Sequence, residues 1–335
     1  MYLKALVAII FTLSACSPKF YQKEIDIINP SLSEDGFMTR DGSLLPVRIW
    51  TPEEEPIGVI IAVHGFNDYS NSFDRVPNSK GVGPSFASMG YVFYAYDQRG
   101  FGQTENAGFW AGRDSLTEDF LDFLMTVDEI HNSLPVYAIG VSMGGAVIIS
   151  AVSSLERPPI EGIALVAPAV WGRESLAYPL RIGLWLGNHT VPWLKLNGKS
   201  TGILASDNIQ MLAANGKDKY FIKETRIDSI YGLVNLMDNA LERVAYMPVP
   251  TIYLYGANDQ VIPAKPTYKA VGRFLSSKGS LRRFAYYKDG WHTMLRDVQG
   301  AIVLNDIASF FSDYSLPLPS GADQDSLFRL NSNIH

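Results

Sequence analysis

Short apolar runs recur along the chain between stretches rich in glycine and proline: Val59–Val63, Tyr91–Tyr96, Val136–Ile139, Ile163–Val166, Thr251–Tyr255 and Arg283–Tyr287. Residues at both alternations are apolar, which suits strands covered on two faces, as in a parallel sheet. Helical patterns fill the gaps. Over Leu116–Ile130, Phe120, Leu121, Leu124 and Val127 fall at spacings of three and four, the stripe of a helix packed on one face. Strand alternating with helix over this length predicts an α/β fold with a doubly wound, mostly parallel sheet. Two short strands are expected before it, around Gly36–Thr39 and Leu45–Trp50, joined at Asp41-Gly42, a hairpin turn signal.

The spacing fails once. The gap between the runs at Ile163–Val166 and Thr251–Tyr255 is far longer than the roughly thirty residues of a βα unit. Residues 171–247 therefore read as an inserted helical cap. It opens with Trp171, Leu176, Tyr178, Leu180, Trp185 and Trp193, apolar on all sides. The main domain is expected in two parts, 34–170 and 248–314. Residues 315–335, rich in Ser, Pro, Asp and Asn, read as a loose C-terminal tail.

At 335 residues and 47% hydrophobic, the chain can bury a large core and is not of disordered type. Its 28 basic residues against 34 acidic ones, a formal net charge of −6, give no basic excess for nucleic acid. No run of about 20 apolar residues predicts a membrane-spanning helix. The start is different. Lys4, the apolar stretch to Leu13 and then Leu13-Ser14-Ala15-Cys16 form a short basic region, an apolar region and small residues before a cut, the pattern of a secretory signal. Leu-Ser-Ala-Cys resembles the lipobox of bacterial lipoproteins. That resemblance implies a signal peptide over 1–15, lipidation of Cys16 and a tether over 16–33. It implies a protein lipid-anchored in the bacterial cell envelope and held to a membrane surface, with Ser17 favouring the outer membrane. Cys16 is the one cysteine in the chain, so no internal disulfide and no multi-cysteine metal site is coded.

Gly140-Val141-Ser142-Met143-Gly144 follows an apolar run and precedes Gly145-Ala146-Val147-Ile148-Ile149. This is G-x-S-x-G between strand and helix, the context that turns a short pattern into a nucleophile turn. A serine needs a base. Of the five histidines, His64 and His292 alone follow strand-like runs on the sheet edge where such sites are built. The chain order nucleophile, acid, histidine selects His292. The acid is then Asp259, in the loop after Thr251–Tyr255. It would fix the histidine tautomer. Backbone N–H groups of Phe66 and Met143 are the expected oxyanion donors, with His64 bracing the loop rather than acting as base.

With these residues in view, the chain resembles the serine α/β-hydrolase superfamily, and within it the monoacylglycerol lipase and lysophospholipase group. The landmarks are His64-Gly65-Phe66, Asp97-Gln98-Arg99-Gly100-Phe101-Gly102, Gly140–Gly144, Gly256–Asp259 with Val261-Ile262-Pro263, and His292. Two loops depart from the family pattern. Asn67-Asp68-Tyr69 stands for Gly-Glu-His, and Phe101 stands for a histidine. The resemblance implies the α/β-hydrolase fold, with Ser142, Asp259 and His292 as catalytic residues and Phe66 and Met143 as oxyanion donors. It implies a carboxylic ester or lysolipid as the small-molecule substrate, with no metal and no organic cofactor. A serine aminopeptidase on the same fold and a non-catalytic surface lipoprotein are the alternatives. Epoxide hydrolase and dehalogenase chemistry is disfavoured, because the turn presents serine and not a carboxylate. A histidine base must be neutral, so activity is expected to rise through the ordinary histidine range.

Overall fold

The computed structural model of the chain describes residues 28–74, 80–198, 202–276 and 279–324. The expected signal, Cys16 and most of the tether lie outside these residues. The strands are β1 Ser31–Ser33, β2 Gly36–Met38, β3 Leu44–Leu45, β4 Val47–Trp50, β5 Gly58–Val63, β6 Tyr91–Tyr96, β7 Val136–Val141, β8 Gly162–Val166, β9 Lys195–Asn197, β10 Glu224–Arg226, β11 Thr251–Gly256 and β12 Arg282–Tyr287. The helices, numbered in chain order, are α1 Val82–Ser88, α2 Arg113–Ile130, α3 Met143–Val152, α4 Tyr178–Thr190, α5 Ile209–Lys217, α6 Ile227–Arg243, α7 Ala264–Ser276 and α8 Gly300–Ser312.

The central sheet runs β12-β11-β8-β7-β5-β6-β4. Every neighbouring pair is parallel except β4 with β6. This is the doubly wound α/β sheet expected from the apolar runs. Alternation divides the strands between two cores. Val59, Ile61 and Val63 point to the face covered by α2, α3, α6 and α7. Ile60 and Ala62 point to the face covered by α1 and α8. Each large apolar side chain buried in this way stabilises the fold by about 1.5–3 kcal/mol.

Three regions differ from the sequence reading. Ser31–Ser33, assigned to the tether, pairs antiparallel with Gly36–Met38. The strand expected over 45–50 is split at Pro46. Leu44–Leu45 joins the small β1-β2-β3 sheet, while Val47–Trp50 joins the central one. Proline offers no N–H to a ladder, and its carbonyl instead accepts from Asp97 N–H at 2.8 Å. The tail is not loose as far as residue 324. Leu318 and Ala322 are buried in the α8-side core. Ser320 N–H donates to Asp306 Oδ1 at 3.0 Å, and its hydroxyl bonds the other oxygen of the same carboxylate. A fully buried carboxylate needs such donors, and this polar tail supplies them.

The inserted stretch 171–247 also divides. Its last helix, α6, puts Leu236, Met237, Ala240 and Leu241 into the main core. What stands apart is α4, the paired strands β9 and β10, and α5. The apolar side chains of α4 are not core. Tyr178 is 72% exposed, Leu180 63% and Trp185 48%.

Candidate active site

The turn after β7 is set by sterics. Ser142 adopts φ 52°, ψ −115°, a region that residues with a side chain occupy only at a cost of about 1–3 kcal/mol. A side chain at Gly144 would run into the carbonyl oxygen of Val63, and one at Gly140 would come within 2.6 Å of Gly145 Cα. The chain can turn this sharply because both positions are glycine. Ser142 N–H donates to Val166 O at 3.0 Å, and Ser142 O accepts from Ala169 N–H at 2.9 Å. The strain is thus held by β8 and the loop after it.

The loop after β5 reaches the same place. A Cβ on Gly65 would lie 3.3 Å from Ser142 Cβ. Phe66 is next, its ring edge-on to Phe101 with centroids 5.6 Å apart. Met143 opens α3, where the first helical N–H groups lack intrahelical acceptors. Among the described backbone hydrogen bonds, neither Phe66 N–H nor Met143 N–H is a donor.

Asp259 and His292 meet. Asp259 Oδ2 lies 2.9 Å from His292 Nδ1. The other carboxylate oxygen accepts from Val261 N–H and Ile262 N–H, both at 2.8 Å, which locks the side chain. Both residues are buried. A carboxylate accepts only, so in the neutral ring Nδ1 carries the hydrogen and Nε2 keeps its lone pair. The two loops are pinned together by Asn258 N–H to Gly290 O at 2.9 Å. One strand, β8, separates β7 from β11, so the ends bearing Ser142 and Asp259 stand about 10 Å apart at the backbone. His292 comes after β12, on the far side of β11 from β8. Among the described residues no hydrogen bond joins Ser142 to His292 directly.

His64 has a different setting. Its Nε2 accepts Gln98 N–H at 2.9 Å, and its Nδ1 faces Gly65 O at 2.8 Å. Gln98 Nε2 also donates to His64 O at 2.7 Å. Burial pushes the imidazole below the ordinary histidine value. It braces the loop. Asp97 likewise accepts Ser70 N–H and Gln103 N–H at 2.9 and 2.8 Å, and Arg99 forms a two-bond fork with Asp119. Burial pushes Asp119 up to about 6, against the pull of Arg99.

One pair escaped the sequence reading. Arg296 Nη2 bonds Asp68 Oδ2 at 2.7 Å, with the two side chains 9% and 11% exposed. It ties the Phe66 loop to the turn after His292. The available signal was Asp68 itself, an acid in the place of the family's glutamate. Among the described residues, no group of three His, Cys, Asp or Glu side chains could hold a metal ion.

Comparison with known proteins places the chain among lipases and esterases of the same fold. A monoacylglycerol lipase of Mycolicibacterium smegmatis is 23% identical over 288 residues, covering 85% of this chain and 98% of the relative. The monoglyceride lipase of Mus musculus is 22% identical over 277 residues, covering 81% and 88%. Among solved structures, a thermostable carboxyl esterase from Bacillus coagulans superposes with a TM-score of 0.67 at 21% identity, covering 84% of this chain and 96% of that one. The family model Hydrolase_4, described as serine aminopeptidase, S33, matches residues 54–299. That span takes in the glycine-framed serine turn, the Asp259–His292 pair and the Phe66 loop, and the chain belongs to this family of α/β-hydrolases.

Proposed function

We propose that the protein is a serine hydrolase that cleaves carboxylic esters of lipid type, monoacylglycerol or lysophospholipid, through an acyl-enzyme. The observation that carries this is the Asp259–His292 contact of 2.9 Å on the sheet edge that also bears Ser142. In this reading Ser142 Oγ attacks the ester carbonyl while His292 Nε2 takes its proton. Asp259 holds the tautomer and stabilises the imidazolium. Phe66 and Met143 N–H receive the oxyanion, a contribution of about 3–4 kcal/mol per donor. His292 returns the proton to the leaving alcohol, the acyl–serine ester remains, and water repeats the cycle to free the acid. The lipase relatives and the exposed apolar residues of α4 support an acyl substrate.

The family description raises an aminopeptidase alternative, which needs carboxylates for the substrate ammonium. The cap side offers few free ones. Asp228 is held by Arg226 at 2.6 Å, Asp238 by Arg173 at 2.9 Å, and Asp207 accepts Val298 N–H at 2.9 Å, which leaves Glu224 as the exposed one of the four. The ester reading is therefore preferred. A fluorophosphonate probe should label the wild type and not Ser142→Ala. A p-nitrophenyl ester series should favour medium or long chains; an optimum at acetate, or faster cleavage of aminoacyl-naphthylamides, would refute the lipid assignment. We further propose that Cys16 is lipidated and holds the enzyme in the cell envelope, on the strength of the lipobox resemblance. Palmitate incorporation abolished by Cys16→Ser is the expected result.

A further inference from the structure

A cavity of about 660 Å³ lies between residues 107–109 and the antiparallel pair β9–β10. Lys195, Lys219, Lys223 and Arg226 line it against one carboxylate, Glu224, in a chain of net charge −6. The register of the pair sets Lys195 directly opposite Arg226. Like charges at facing positions cost free energy; Asp228 already offsets Arg226, whereas Lys195 has no ion-pair partner among the described residues. Arg226 is a fixed part of the wall. Its guanidinium bonds the buried Asp228 and lies 4.5 Å from the centre of the Phe109 ring. The three lysines are exposed and form no ion pair among the described residues.

We infer that this cavity binds the phosphate group of an organic phosphate ester. A cleft walled by one sign of charge concentrates its field on the opposite sign. A phosphate monoester brings a charge of about −1.5 to −2 and three strong acceptor oxygens, which suits several donors better than one carboxylate would. The volume falls in the range of small-molecule sites, about 300–1,000 Å³. It leaves room for an organic part against Phe109. The wall of the site is joined to the candidate oxyanion loop through Asn67. Thr225, between Glu224 and Arg226, accepts from Asn67 Nδ2 at 2.7 Å, and Ile222 N–H donates to Asn67 O at 3.0 Å. Asn67 is next to Phe66, so a ligand here grips the β10 segment that bonds the proposed oxyanion loop.

The phosphate has two possible sources: the head group of a lysophospholipid undergoing hydrolysis, which rests on the ester-hydrolase reading, or a small phosphate ester bound apart from substrate, which does not. The test starts with Ser142→Ala protein titrated calorimetrically with glycerol 3-phosphate at an ionic strength fixed with chloride. Saturable binding is expected, weakened at least tenfold when Lys195→Met, Lys219→Met and Lys223→Met are added together. These side chains are exposed, so the variant is expected to fold. The same triple change in the active enzyme is then compared on 1-oleoyl-lysophosphatidate and 1-oleoylglycerol. A kcat/KM ratio that falls tenfold or more assigns the phosphate to the substrate, whatever the titration gives. An unchanged ratio with weakened glycerol 3-phosphate binding assigns it to a separate ligand. An unchanged ratio with no binding, or with binding equal in the triple variant, overturns the proposal. Absence of any ester turnover by the wild type would sink the esterase reading alone, and the titration would still decide the site.

Discussion

The loops after β5 and β12 each carry a histidine at the same edge of one sheet, yet the two rings are built for different work. In both, Nδ1 faces an oxygen, Gly65 O at 2.8 Å for His64 and Asp259 Oδ2 at 2.9 Å for His292. The difference lies at the other nitrogen and in the charge of the acceptor. His64 Nε2 is taken by Gln98 N–H, so its ring is consumed by the backbone. His292 Nε2 has no described partner, and its Nδ1 rests on a carboxylate that stabilises a positive ring. A place at the end of a strand nominates both histidines; chain order and the partner of the second nitrogen each separate them.

The most forceful way to break this comparison is to exchange the penalties. Asp259→Asn should lower kcat on a p-nitrophenyl ester by about 10⁴-fold, as loss of the tautomer-fixing carboxylate does elsewhere, with little change in melting temperature. His64→Gln should cost far less in kcat. Equal losses in two well-folded variants would erase the distinction. The next effect concerns the bridge between the loops. Arg296→Met leaves Asp68 buried without its partner, and breaking a buried pair from one side costs about 3–5 kcal/mol. Urea unfolding should register that loss, and adding Asp68→Asn should recover part of it.

A smaller effect separates the rings by pH. Burial makes His64 harder to protonate in the folded chain than in the unfolded one. The unfolded state then takes up a proton that the folded state refuses. This contribution is complete above the ordinary histidine value and is lost as pH falls toward the depressed one, by up to about 1.4 kcal/mol per pH unit. Melting curves from pH 8 down to 5 should show the decline, and His64→Gln should flatten it. Least costly should be Gly65→Ala. Its new methyl would sit 3.3 Å from Ser142 Cβ, which calls for a displacement of a few tenths of an ångström and a fall in kcat on the order of tenfold, with stability nearly constant.

Much of the sheet was legible because its strands are apolar on both faces, a pattern that polar loops cannot imitate. Tyr91–Tyr96 spans the same residues in the pattern and in the structure. The serine turn was legible because its glycines are required by contacts with Val63 O and Gly145. Other features depend on distant partners. Periodicity alone could not show whether α6 packs on the cap or on α3, since an apolar stripe names no neighbour. β9 and β10 have three residues each, too few for alternation to register, and they pair across an intervening helix. The Asp68–Arg296 bridge spans 228 positions; Asp68 marks one end, and nothing local names Arg296 as the other.

The docked stretch Leu318–Ala322 bears on where the chain can be trimmed. Residue 314 looks like a natural endpoint, since the residues beyond it are polar and rich in proline. Cutting there would remove Ser320, which supplies two donors to Asp306, and leave a carboxylate inside the α8 layer with the Tyr287 hydroxyl, at 2.8 Å, as its one donor among the described residues. A shortened version made for crystallisation or display should retain residues through 324, or replace Asp306 with a neutral side chain at the same time.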